Sequence, residues 1–159
     1  MLIYKNAKRG WYKILNPEKF IAPIDGHMKS FNESEGTVEY KSSLELKAIK
    51  YADFNKHVVK WSCEPFHVPY IKPTDGKPHR YFIDLFLEFA TGDKFIVEIK
   101  SSGETKPPRK PSKKTDKAIN NYQRALMTYA INQAKWKYAE QFAIERGMKF
   151  IILTEKELK

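Results

Sequence analysis

Between Tyr81 and Lys100, three charged residues stand inside otherwise apolar runs. Asp84 interrupts Tyr81-Phe82-Ile83 and Leu85-Phe86-Leu87. Fourteen positions later, Glu98 and Lys100 flank Ile99 after Phe95-Ile96-Val97. Successive strand residues alternate sides, so Glu98 and Lys100 point to one face. Burying such charges is costly unless they are paired or coordinate something. Two carboxylates and an ammonium on neighbouring strands make a hard, oxygen-rich seat for a divalent cation such as Mg²⁺, which takes one or two carboxylates and keeps several waters. The competing reading is an Asp84–Lys100 pair that serves structure alone. Strand interiors disfavour aspartate, and apolar isosteres would pack at least as well.

The elements that must hold these residues follow from pattern. Thr91-Gly92-Asp93 reads as a hairpin turn between strands Tyr81–Ala90 and Phe95–Lys100. Trp61–Ile71 reads as an earlier strand. Residues 40–54 place Leu44, Ala48, Tyr51 and Ala52 at helical spacing, with Ser42 or Ser43 as cap. Residues 121–145 read as a long helix that ends at Arg146-Gly147. Phe150-Ile151-Ile152-Leu153 is a last short buried strand, and the crossover helix makes it parallel to the strand of Glu98. The predicted fold class is α/β: an αβββαβ core with a mixed sheet flanked by helices. A chain of 159 residues suits one domain with a real core.

Two segments fall outside that core. Residues 1–36 carry turn formers, yet Tyr4, Trp11, Tyr12, Phe20 and Phe31 predict an irregular arm packed on the rest, the alternative being a small basic-aromatic DNA contact over residues 11–22. Residues 104–117 hold six basic residues, two acidic ones and three prolines, a basic Pro-rich loop that forbids a regular element. It begins just after Lys100, so Lys106, Arg109, Lys110, Lys113 and Lys114 are candidates to grip a polyanion. His79 and Arg80 precede Asp84 closely enough to touch a phosphate.

Composition narrows the function class. Lys and Arg total 29 against 19 Asp and Glu, a net charge of +10, which suits a partner whose phosphates release counterions on binding. An anionic membrane is the weaker alternative, because no lysine-rich amphipathic helix stands apart. No apolar run approaches the roughly 18–20 residues that span a bilayer. Met1-Leu2-Ile3-Tyr4-Lys5 lacks a signal peptide's apolar stretch, so the cytoplasm is the expected compartment. Cys63 is the only cysteine, which excludes an intramolecular disulfide and argues against a Cys-based zinc site. There is no glycine-rich phosphate loop, so no nucleotide cofactor is expected.

Asp84 followed by Glu98-x-Lys100 resembles the core of the PD-(D/E)xK nuclease superfamily, with Ile83 where the superfamily has a proline that ligates nothing. Ser42-Ser43-Leu44-Glu45 opens a helix. Trp61-Ser62-Cys63-Glu64-Pro65-Phe66 then leads through Thr74-Asp75-Gly76-Lys77 to Tyr81-Phe82-Ile83-Asp84-Leu85. That order is similar to the endonuclease subunits of Tn7-type transposases, and nearly the whole chain is similar to the head completion nucleases of T-even-like bacteriophages. The resemblance implies a restriction-endonuclease-like fold and a Mg²⁺- or Mn²⁺-dependent endodeoxyribonuclease. It further implies DNA-end processing during head completion, after packaging and before tail attachment. DNA is then the substrate, proteins of the phage head and portal vertex are partners, and the host cytoplasm or the virion is the location. Asp84, Glu98 and the backbone carbonyl of Ile99 would hold the metal. Glu45 would bind it or position its water.

Lys100 is assigned positioning and charge stabilisation before base chemistry, since the metal would lower its pKa while the adjacent carboxylates raise it. Glu64 is a weaker candidate with a mainly structural role. Gln123 and Lys137 are candidates on the long helix whose direction depends on helical rotation. Two other readings use the same residues: a catalytically idle DNA-binding or structural head protein, and a transposase-like cutting subunit.

Overall fold

In chain order the elements are β1 (Gly10–Lys13), β2 (Phe31–Asn32), β3 (Thr37–Tyr40), α1 (Ser43–Phe54), β4 (Val58–Cys63), β5 (His67–Ile71), β6 (Pro78–Phe82), β7 (Leu85–Phe89), β8 (Lys94–Ile99), α2 (Asp116–Glu145) and β9 (Lys149–Leu153). They belong to a computed structural model that describes residues 9–24 and 28–158. The parts of the expected arm at 1–8 and 25–27 lie outside the described residues. The principal sheet runs β4-β7-β8-β9. Its first two pairings are antiparallel and β8–β9 is parallel, as the crossover rule requires. The expected restriction-endonuclease-like fold, with a mixed sheet between helices, is the one observed.

Alternation along the strands decides which helix each face receives. Trp61, Leu85, Leu87, Val97 and Ile99 pack with Ala48, Ile49 and Ala52 of α1. Ile96 faces the other way, into a cluster with Trp136, Ala139 and Ala143 of α2. Glu98 and Lys100 share the parity of Ile96 and so belong to the α2 side. Ser42 caps α1 by accepting from the Glu45 amide at 3.1 Å, and Gly92 supplies the left-handed φ of 91° that the β7–β8 turn needs.

The strands predicted as Trp61–Ile71 and Tyr81–Ala90 are each broken in two, and at the same level. Cys63 pairs with Leu85 in the principal sheet, and His67 pairs with Phe82 in a separate two-stranded ribbon, β5–β6. Pro65 has no amide to donate, and Glu64 sits at a left-handed φ of 44°. Across the break, the Glu64 amide donates to the Asp84 carbonyl at 3.1 Å. Asp84 therefore stands at the split and not within a continuous strand.

The long helix begins five residues earlier than expected. Thr115 accepts from the Ala118 amide at 3.2 Å and caps it, a signal masked by the lysines around it. The segment 104–117 is correspondingly not all loop. Glu104 and Thr105 complete a 3-10 turn, Ser102–Thr105, and Asp116 and Lys117 open α2.

The arm has regular pieces. β1 and β2 flank β3 in a small antiparallel sheet, and Tyr12, Ile14 and Val38 enter the α1-side core. Asp53, fully buried at the end of α1, ties the arm down. Its Oδ2 accepts from Tyr12 Oη at 2.6 Å and from the Leu15 amide at 2.9 Å, and its Oδ1 from the Asn16 amide at 3.1 Å. Burial and the Asp53 carboxylate push the Tyr12 phenol well above its ordinary range, keeping it a donor. Phe20 then bridges to Trp61, covering the free edge of β4.

Candidate active site

The break after β6 frees the Asp84 side chain from the ladder. Its Oδ2 accepts the Ile99 amide at 2.8 Å, which ties it to the end of β8. Burial and the facing Glu98 hold the Asp84 carboxyl well above its ordinary range, with Glu45 adding to the push; the Ile99 N–H and Lys100 oppose it. Glu98 is 6% exposed. Its pKa is raised by burial, against the hydrogen bond from Tyr81 and the charges of Lys100 and Lys135. The Tyr81 hydroxyl donates to Glu98 Oε2, and that phenol is in turn pushed far up by burial and by Glu98. Two carboxylates are thus crowded where neither ionises freely.

Lys100 closes the group. Its Nζ lies 3.7 Å from Glu98 Oε1 and 3.6 Å from Glu104 Oε2. Burial alone would lower its pKa, but Glu98, Glu104 and Asp84 outweigh burial and raise it. The ammonium is therefore charged at neutral pH. From Lys100 a groove of about 400 Å³ opens between the basic loop and α2, lined by Glu104, Lys106, Thr128, Tyr129 and Asn132.

Glu45 lies on the other side of Asp84. Together with Glu64, Lys41 and Asp84 it lines a cavity of about 20 Å³, the size of one water. Its Oε2 accepts the Lys41 amide at 2.9 Å, and its pKa is raised, chiefly by burial. The Glu64 carboxylate is held by Lys41 Nζ at 3.1 Å and Ser30 Oγ at 2.6 Å. Among the described residues no three His, Cys, Asp or Glu side chains gather tightly enough to cage an ion. A cation in this site would rest on the Asp84–Glu98 pair and water, which is how magnesium is usually held. The crowded pair fits that role, because a cation would offset both the burial and the repulsion that push Asp84 upward.

The other predicted residues are placed apart. His79 Nε2 contacts Asp75 Oδ2 at 2.7 Å, and the Arg80 guanidinium lies 5.4 Å from the centre of the Phe82 ring. As neighbours on β6 they point to opposite faces of the ribbon. Lys106 borders the groove, while Arg109, Lys110, Lys113 and Lys114 are exposed along the loop. Gln123 and Lys137 are both exposed, and Lys137 lies beside Tyr138, Gln141 and Ile144. The rotation of α2 instead brings Thr128, Asn132 and Lys135 to the site.

A model of the TnsA-like endonuclease N-terminal domain matches residues 55–155. The chain belongs to the TnsA-like endonuclease family. The matched span contains Asp84, Glu98 and Lys100 and begins after Glu45. The chain is also 36% identical over 122 residues to the head completion nuclease of Enterobacteria phage T4, covering 77% of this chain and 81% of that one.

Two residues beside Glu98 carry no motif signal. Tyr81 was visible only as a strand aromatic, although its position three before Asp84 at the end of a ribbon brings it back over Glu98. Lys135 could have been found from the buried Trp136, Ala139 and Ala143, which fix the inward face of α2 and so the direction of its neighbours.

Proposed function

We propose that this chain is a Mg²⁺- or Mn²⁺-dependent DNA endonuclease that hydrolyses phosphodiester bonds at Asp84, Glu98 and Lys100, and that it processes DNA ends during phage head completion, after packaging. The observation that carries the reading is the crowding of two carboxylates, one of them pushed well above its ordinary range, beside a charged lysine at the mouth of a groove. Membership of an endonuclease family supports the reaction class. The phage relative's name supports the setting. In that setting DNA is the substrate, head and portal-vertex proteins are partners, and the host cytoplasm is the place of action. Among the described residues no helix is long and apolar enough to cross a membrane.

Asp84 and Glu98, with the carbonyl of Ile99, would hold the cation, which supplies positive charge against the phosphate oxygens and acidifies a water. The chain's own residues do the rest. The Ile99 amide and the Tyr81 hydroxyl fix the two carboxylates before substrate arrives, so no reorganisation is needed during the reaction. Lys100, already charged, stabilises the negative charge that builds on the phosphoryl oxygens. Glu45 orients a water from the small cavity beside Asp84. The basic loop from Lys106 to Lys114 holds the backbone away from the cut. Incubating the protein with supercoiled plasmid, with and without Mg²⁺ or Mn²⁺, tests the reading. Nicked or linear product is expected only with metal. Inertness with both metals on supercoiled, linear and branched DNA would leave an idle DNA-binding protein.

A further inference from the structure

Lys135 is a half-buried lysine that makes no ion pair among the described residues. Its Nζ lies 5.5 Å from the centre of the Tyr81 ring and 5.8 Å from that of Tyr70. Among the described residues no carboxylate comes within ion-pairing distance of it. Burial works most against its charge; Glu98 and Asp84 attract it from farther off while Lys100 and Lys72 repel it, and its pKa is lowered. Aromatic faces favour an ammonium by only about 0.5–2 kcal/mol, and a partly desolvated ammonium needs an anion to offset what it loses.

The position says which anion. Lys135 follows Asn132 by three residues on α2, so both lie on one face of the helix. Asn132 lines the groove that runs from Lys100 past Lys106. Tyr81, beneath the ammonium, is the residue that donates to Glu98. The ammonium thus stands one helical turn beyond the Asn132 of the groove, over the ring of the tyrosine that holds Glu98. A chain of phosphates lying in that groove would cross the cutting centre and then reach Lys135. We propose that Lys135 binds a DNA backbone phosphate next to the scissile one, a role that rests on the reading of the centre as a DNA-cutting site. Lys72, just past the end of β5 and close enough to repel the Lys135 ammonium, adds positive charge to this ledge. The loop and this ledge then hold the backbone on both sides of the cut, which fixes the scissile phosphate over Asp84 and Glu98 better than the loop could alone.

Binding of a short duplex is measured in EDTA across a salt series for the wild type, Lys135→Met, Lys135→Gln, Lys135→Arg and Lys137→Gln. Methionine keeps an unbranched stem against the tyrosines, so one of the two neutral variants reports even if the other loses its fold by circular dichroism. Both neutral variants should bind roughly ten-fold more weakly, the scale of one charge-assisted hydrogen bond. The slope of log affinity against log salt should fall by about 0.9, one duplex phosphate contact. Lys135→Arg should keep the slope, and so should Lys137→Gln, which removes the same charge from another face of α2. An unchanged slope in the folded neutral variants of Lys135 overturns the proposal, as does an equal fall with Lys137→Gln. Because no cleavage is involved, a protein that binds through Lys135 yet never cuts would defeat the nuclease reading and leave this contact standing.

Discussion

Two aspartates sit within the fold of this protein, and their surroundings are built on opposite plans. Asp53 closes α1, and both its oxygens meet donors: a phenol and two backbone amides reach it from the arm. Asp84 has one amide, from Ile99, and faces a second carboxylate. A carboxylate whose lone pairs are all answered by fixed donors holds the chain together. A carboxylate left short of donors and crowded by its own kind is held in readiness for something absent from the fold. The first stabilises the structure; the second is maintained at the structure's expense, a pattern typical of sites that bind and react.

The largest consequence is a crossed pair of phenotypes. Asp84→Ala or Glu98→Ala should reduce metal-dependent cleavage roughly 10³-fold or more while leaving circular dichroism and thermal unfolding near those of the wild type. Asp53→Ala should do the reverse, since it strands the donors of Tyr12, Leu15 and Asn16. Plasmid nicking and melting measured on the same preparations decide it. A folded Asp84→Ala protein that nicks like the wild type breaks the comparison on one side.

Amides sharpen it further. Asp53→Asn keeps the shape but turns an NH₂ group toward donors, so it should cost about 3 kcal/mol, roughly 6–12 °C in Tm for a chain of this size. Asp84→Asn keeps an acceptor for the Ile99 amide and removes a charge that its setting resists. It should therefore match or exceed the wild-type Tm at neutral pH in EDTA. Equal losses for both amides would show that Asp84 is a structural carboxylate after all.

The same crowding predicts a pH dependence. The carboxyls of Asp84 and Glu98 are raised in the folded protein, so between their unfolded and folded values the native state binds more protons than the unfolded chain. Stability then falls as pH rises, starting near the ordinary carboxylate value and continuing up through the raised ones. Metal-free wild type should melt higher at mildly acidic pH than at neutral pH, and Asp84→Asn should flatten that trend. Mg²⁺ or Mn²⁺ should restore the loss at neutral pH by about 2.7 kcal/mol at a hundred times the dissociation constant, and should do little for Asp84→Asn. A metal-free melting temperature that falls from pH 5 to 7 as steeply in Asp84→Asn as in the wild type would remove these carboxylates as the cause.

Which of these features could be read from the chain depends on how local their causes are. The shared face of Glu98 and Lys100 follows from strand alternation, and the parallel β9 from the handedness of a crossover, so both were legible. The split that releases Asp84 needs Pro65 and the unusual φ of Glu64 acting opposite Ile83; Pro65 is visible in the sequence, but its pairing level is not. Asp53 carries no local signal, because its partners lie 37 to 41 positions away. Lys135 was hidden by rotation, since its direction is set by which residues of α2 the sheet buries. Glu45 was legible as a helix-opening glutamate, but not which of its two neighbours, the cap or Asp84, it serves.

Glu45 is the residue on which the two plans meet, and it carries the smallest effect. Like Asp53 it answers a backbone donor, the Lys41 amide, in the manner of a glutamate that closes the first turn of a helix. Like Asp84 it is pushed upward by burial, and it lines the small cavity beside that aspartate. Glutamine at this position keeps an acceptor for the Lys41 amide and discards only the charge. If Glu45 serves the cap alone, Glu45→Gln should leave both Tm and cleavage close to the wild type. If it orients a water for Asp84, Tm should again hold within about 2 °C, within the range of minor surface-like changes. Cleavage should then fall by about ten-fold, the low end of what an orienting partner of a metal ligand contributes. The expected result is the second. A fall in Tm with unchanged cleavage would move Glu45 to the side of Asp53, and would leave Asp84 and Glu98 as the carboxylates of the reaction.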